Sequence, residues 1–271
     1  MRILVLGGTA FVGRAFVDAA TAAGHELTLF NRGRTGPGLF PDLEHVKGDR
    51  ERDLSQLDGR HFDAVYDSSG YTPDVVRRSV DALDTDRYVY VSTISVYADP
   101  TVAGRDEDAP LLEHGGGYGA QKAASERVLP ADALIVRPGV VAGPHDTTDR
   151  FPYWVRARAA GGRFEAPAPP EHPIQLIDAR DLATFTLELL ERGAAGPYNV
   201  VGEKTTFAGM LDACPGDGTP DWVGGSDRFP LWVPPGEENV FDVSDARALQ
   251  AGLRRRPLTE TARDTLTWVE A

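Results

Sequence analysis

Short apolar runs alternate with amphipathic stretches of helical period through the first two-thirds of the chain. Arg2-Ile3-Leu4-Val5-Leu6 is β-branched and apolar, ends at Gly7-Gly8, and reads as a buried strand. The helical pattern Arg14-Ala15-Phe16-Val17-Asp18-Ala19-Ala20 follows, closed by Gly24-His25, and Glu26-Leu27-Thr28-Leu29-Phe30 is a second strand. Further strands are predicted over residues 44–47, 63–67, 88–92 and 133–137, with helices over 73–84 and 117–129. Strands alternating with helices imply right-handed βαβ crossovers and a parallel sheet covered on both faces. The rhythm breaks after Arg137-Pro138, where residues 139–175 and 214–240 are rich in Pro, Gly and aromatics. A helix near 180–193 and a strand at Tyr198-Asn199-Val200 return between them. The pattern predicts an α/β chain with a Rossmann-type, doubly wound parallel sheet. The sheet domain is placed at 1–144 with later returns near 174–202. A small interleaved substrate lobe takes most of 145–271.

The first turn carries the first chemical signal. Gly7-Gly8-Thr9-Ala10-Phe11-Val12-Gly13 lies between a strand and a helix, within about thirty residues that end in another strand, the context a dinucleotide fingerprint requires. Glycine lets backbone approach a pyrophosphate, and the helix N-terminus presents free N–H groups and a positive dipole end. Residues 7 and 9–13 are therefore cofactor-site candidates.

Charge narrows the partners. The net charge of −13 argues against nucleic acid, whose phosphates are bound by clustered Lys and Arg. No apolar run approaches the ~18 residues of a membrane span. The N-terminus enters a strand at once, without a secretory pattern. A single cysteine, Cys214, fits a reducing compartment, and no Cys/His cluster has zinc-ligand spacing. The expectation is a metal-free cytoplasmic protein, monomer or homodimer, with a small-molecule substrate.

Lysine is scarce, with only Lys47, Lys122 and Lys204 present. A basic position filled by chance would thus almost always be Arg, yet Lys122 stands four residues after Tyr118 in a helix-prone stretch. That spacing puts both side chains on one helix face, although a solvated face alone produces the same pattern. A compact ammonium can lower a neighbouring phenol's pKa.

Several ordered motifs together resemble the extended or atypical short-chain dehydrogenases/reductases of the epimerase/dehydratase superfamily. They are Gly7 to Gly13, Gly48-Asp49, Val91-Ser92-Thr93-Ile94-Ser95-Val96-Tyr97, Tyr118 with Lys122, Arg137-Pro138-Gly139 and Asp178-Ala179-Arg180-Asp181. The G-G-T-x-F-x-G turn is similar to that of chloroplast stem-loop-binding proteins and their bacterial relatives. The resemblance implies a catalytic triad of Thr93, Tyr118 and Lys122. Tyr118 would move the proton on the substrate oxygen, with Lys122 lowering its pKa and holding the nicotinamide ribose, while Thr93 would hold the substrate carbonyl. It also implies that Asp49 contacts the adenine, unless it only caps the following segment, and that Arg50, Ser69 and Pro138 line the nucleotide. Two departures are Ala10 for the middle glycine and Leu6 for the preceding Thr.

The end of the second strand, Asn31-Arg32-Gly33-Arg34, carries no acid to bind the adenosine ribose of NAD. Arg32 and Arg34 suit a 2′-phosphate, so NADP(H) is the expected cofactor, with NAD(H) the alternative. Val140 stands where sugar-nucleotide members have a substrate-contacting Asn. Substrate-pocket candidates are Ser69, Ser95, His145, Tyr153 and Trp154. The leading expectation is an NADPH-dependent reductase of a carbonyl on a small sugar-like or secondary-metabolite substrate. The alternatives are an NAD-dependent sugar epimerase/dehydratase and a noncatalytic dinucleotide-sensing or RNA-associated protein.

Overall fold

In chain order, a computed structural model describing residues 1–271 contains β1 (Arg2–Leu6), α1 (Phe11–Ala22), β2 (Glu26–Asn31), β3 (Glu44–Lys47), β4 (His61–Phe62), β5 (Ala64–Asp67), α2 (Pro73–Ala82), β6 (Asp84–Thr85), β7 (Tyr88–Val91) and α3 (Tyr118–Glu126). There follow β8 (Leu134–Pro138), β9 (Val140–Ala142), α4 (Arg150–Ala159), β10 (Arg163–Pro167), β11 (Pro173–Asp178), α5 (Ala179–Glu191), β12 (Gly196–Val200), β13 (Lys204–Thr206), α6 (Phe207–Ala213), β14 (Thr219–Val223), α7 (Ala246–Gln250) and α8 (Leu258–Val269). Seven strands form one parallel sheet in the order β12-β8-β7-β5-β1-β2-β3. The winding reverses between β1 and β5, so the carboxyl ends of these strands open a crevice there.

The pleat of β1 explains both layers. Ile3 and Val5 point into one core with Phe16 and Val17 of α1 and Leu182 and Phe185 of α5. Leu4 and Leu6 point the other way, into a core with Val65, Val76 and Tyr90. A strand buried on both faces reads as a continuous apolar run, which is how this one is recognisable. Helices α1 and α5 cover the first face, and α2 and α3 pack together over the second.

The broken rhythm after Pro138 marks where the chain leaves the sheet. Gly139 separates β8 from β9, which joins β11 and β13 in a second sheet, outside the first. The lobe has its own core around Trp154, which meets Phe207 edge-on with ring centroids 5.0 Å apart. The chain then returns to the main sheet through α5 and β12. It returns again at 246–253, where Ala248 and Leu253 join the first core. That second return lies beyond the stretch at 174–202 read from the sequence. No helix is long and apolar enough to cross a membrane.

Candidate active site

A cleft of about 730 Å³ lies over the carboxyl ends of β1, β2, β5, β7 and β8 and is roofed by the lobe. Its floor is the first turn. Gly7 and Gly8 have φ of 113° and 88°, which only glycine adopts without strain. A Cβ on Gly13 would stand 2.9 Å from the Gly8 nitrogen, so the third glycine lets α1 start directly against the turn. Ala10 has φ of −135°, where a methyl group is accommodated, so its departure from glycine is benign. Phe11, by contrast, has φ of 28°, a strained value concentrated where the turn becomes helix. No side chain caps α1 and no acid stands in its first turn, so its N–H groups remain for an external anion.

Asn31 ties the second strand to this floor. Its Nδ2 donates to the Gly7 carbonyl (3.3 Å), and its Oδ1 accepts from the Gly33 N–H (2.8 Å). This Asx turn presents Arg32 and Arg34 along the cleft, neither held by a carboxylate. Asp49 also lines the cleft, and its Oδ1 accepts from the Glu51 N–H (3.2 Å), the capping role weighed for it above.

The candidate triad residues Thr93, Tyr118 and Lys122 all line this cleft. Thr93 follows the end of β7 and caps a 3₁₀ turn, its Oγ1 accepting from the Ser95 N–H (3.2 Å). Tyr118 opens α3, half its surface exposed to the cleft. Gly119 is what lets α3 approach: a Cβ there would lie 2.0 Å from the Ser95 carbonyl oxygen. Lys122 is 2% exposed and donates to the carbonyls of Val91 (2.7 Å) and Gly70 (2.9 Å), beneath the Tyr90 ring at 4.5 Å.

Burial pushes the Tyr118 phenol above its ordinary value, and the adjacent Tyr71 acts the same way. The neighbouring Thr93 side chain and the Arg150 guanidinium pull it back. Burial instead pushes the Lys122 ammonium down to about 8, against the attraction of Asp67.

Other candidates fall elsewhere. Arg50 lines the cleft wall, with its guanidinium in a bidentate pair with Asp67 and a bond to Ser79 Oγ. Ser69 lines the cleft but spends its hydroxyl on the Leu6 carbonyl (2.9 Å). Ser95 and Pro138 also line it. His145, Tyr153 and Trp154 do not. Trp154 is fully buried and donates to the Pro230 carbonyl (3.0 Å), because the lobe needs its own apolar core. Tyr153 lies edge-on against Trp154, and His145 edge-on against Trp268. The cleft wall contributed by the lobe side is instead Thr147, Thr148, Arg150, Val240 and Phe241, with Tyr71 on the sheet side. The polar run Asp146-Thr147-Thr148-Asp149-Arg150, set within an aromatic-rich stretch, was the sequence signal for the first three.

The comparisons agree with this architecture. A family profile described as "NAD dependent epimerase/dehydratase family" matches residues 63–201. The chloroplast stem-loop binding protein of 41 kDa b of Arabidopsis thaliana is 31% identical over 239 residues, covering 79% of this chain and 62% of that protein. A probable low-salt glycan biosynthesis reductase of Haloferax volcanii is 31% identical over 232 residues, 75% of each. The chain thus spans less than two-thirds of the first of these relatives and three-quarters of the second. Among solved structures, Bordetella bronchiseptica WbmH in complex with NAD⁺ has a TM-score of 0.77 at 18% identity, covering 99% of this chain and 98% of that one. The dTDP-glucose 4,6-dehydratase of Bacillus anthracis with NAD has a TM-score of 0.76 at 17% identity, covering 100% and 96%. On the profile match over residues 63–201, the chain belongs to the NAD dependent epimerase/dehydratase family.

Proposed function

We propose that the protein oxidises or reduces a hydroxyl or carbonyl carbon of a small sugar-like substrate with a nicotinamide dinucleotide, in the manner of an epimerase or dehydratase. The observation that carries this is the placing of Thr93, Tyr118 and Lys122 in one cleft that is also lined by an uncapped helix N-terminus behind a glycine turn. The residues fit such a cofactor: free N–H groups face the place of a pyrophosphate, and Lys122 has one ammonium hydrogen beyond the two given to carbonyls. When bound, the nicotinamide supplies or accepts the hydride. Tyr118 moves the proton at the substrate oxygen, and Thr93 hydroxyl hydrogen-bonds that oxygen as charge grows on it. On the lobe side of the cleft Arg150 is the one ionised group, with only Thr148 Oγ1 as a partner, so it offers a handle for an anionic substituent.

An enzyme of this class returns the hydride within one cycle and can keep its nucleotide. Denaturing the purified protein is expected to release NAD⁺ close to one per chain. Nucleotide-free protein that binds added NADPH and turns over only with its net oxidation would refute the epimerase or dehydratase reading.

A second reading, net reduction with NADPH, is favoured by the two unpaired guanidiniums after β2. Under it, Arg32→Ala weakens NADPH much more than NADH, since only the former carries the 2′-phosphate. Loss of one charged hydrogen bond is worth ~1.5–3 kcal/mol. Equal losses in titrations of the two nucleotides would remove this reading.

A further inference from the structure

Asp67 ends β5 with a carboxylate that is completely buried yet has every oxygen occupied. Oδ1 accepts from Arg50 Nη1 (2.5 Å) and the Ser69 N–H (3.0 Å), and Oδ2 from Arg50 Nη2 (2.8 Å) and the Tyr88 hydroxyl (2.9 Å). The turn that follows is therefore tied to the carboxylate itself. Gly70 completes it and is pressed against the same group: a Cβ there would lie 2.8 Å from Asp67 Oδ2 and 2.6 Å from Val76. The Gly70 carbonyl then accepts from both Lys122 Nζ (2.9 Å) and the Tyr90 hydroxyl (2.8 Å).

We propose that the Asp67–Arg50 pair is the positioning device of Lys122, holding the Gly70 carbonyl under its ammonium and placing two opposed buried charges behind it. Three observations support the link. A continuous path of hydrogen bonds and contacts joins the carboxylate to the ammonium. The pair is buried, where a charge acts strongly across a short distance. The groups around Lys122 are few: Asp67 from β5, Arg50 from the loop after β3, Glu126 one turn along α3, and the Tyr90 and Tyr71 rings. Glu126 is itself committed to Arg137 through two bonds of 3.0 and 2.7 Å, which leaves Asp67 and Arg50 as the opposed charges that tune the site. Their influence on Lys122 runs in opposite directions, Asp67 favouring and Arg50 opposing the proton.

This inference rests on Lys122 serving a bound dinucleotide, but its test does not require turnover. The chain has only three lysines, so protein labelled with ¹³C,¹⁵N-lysine gives three side-chain titrations by nuclear magnetic resonance. In the unaltered protein Lys122 is expected to lose its proton at least one pH unit below Lys47 and Lys204. Arg50→Gln should move the Lys122 midpoint upward by half a unit or more, and Asp67→Asn should move it downward by at least as much. The pH at which nucleotide affinity falls should follow both. A purely architectural pair would impair both variants alike, without shifts of opposite sign. If Asp67→Asn does not fold, Arg50→Gln carries the test by itself and must still shift Lys122 upward. Co-titration of all three lysines in the unaltered protein, or shifts of the same sign in the variants, overturns the proposal. Failure to bind any nicotinamide dinucleotide would instead strike the functional reading and leave the lysine titrations to be judged by themselves.

Discussion

Tyr118 shows what a single position can and cannot announce. Its spacing to Lys122 and to the Val91–Tyr97 segment was legible, and the structure brings all three candidate triad side chains to one cleft. Removing only its hydroxyl tests its role. Tyr118→Phe should lower turnover by ~10²–10⁴ while dinucleotide affinity changes little, because the role proposed for the phenol is on the substrate proton and not on the nucleotide. Turnover equal to the parent would end the assignment. What the spacing concealed was the direction of Lys122. Its ammonium donates to two backbone carbonyls, those of Gly70 and Val91. Asp67 was not legible at all, since an acid at a strand end reads the same whether it faces a ligand or a buried arginine. The pairing of Arg50 was hidden for the converse reason: nothing in its neighbours in sequence reveals a partner 17 residues away.

Elements were more transparent than their partners. The strands and helices of the sheet domain were readable because burial on both faces leaves unbroken apolar runs, and because helical period persists where one face meets the sheet. The lobe was harder. Its short strands pair with distant segments, as β10 does with β14, and its aromatics read as pocket residues until their core is seen. The contact between α3 and the Thr93–Ser95 turn was equally hidden, since a glycine within Tyr118-Gly119-Ala120 carries no mark of what it touches. That contact is testable. Gly119→Ala must push α3 away from the Ser95 carbonyl, lifting Tyr118 from Thr93. Turnover is expected to drop at least tenfold, with an overpacking cost of ~1–3 kcal/mol visible in thermal unfolding. Unaltered kinetics and Tm would show that the helix is not seated as described.

For the molecule as a whole, charge and cleft point the same way. A chain of −13 whose unpaired cleft arginines are few offers no extended phosphate track. RNA affinity that falls steeply with salt is therefore not expected at physiological ionic strength, even though one relative is named for stem-loop binding. Gel-shift or anisotropy titrations across a salt series check this, and a tight complex at ~0.15 M salt would contradict it. The interleaving of sheet and lobe has another consequence. The polypeptide leaves the sheet after β8, returns in α5 and β12, leaves again through β13, and comes back at α7. The substrate side is thus stitched into the nucleotide side by several seams rather than joined at one. A gene fragment carrying only the lobe would encode torn edges, so the lobe cannot be cut out as one continuous cassette.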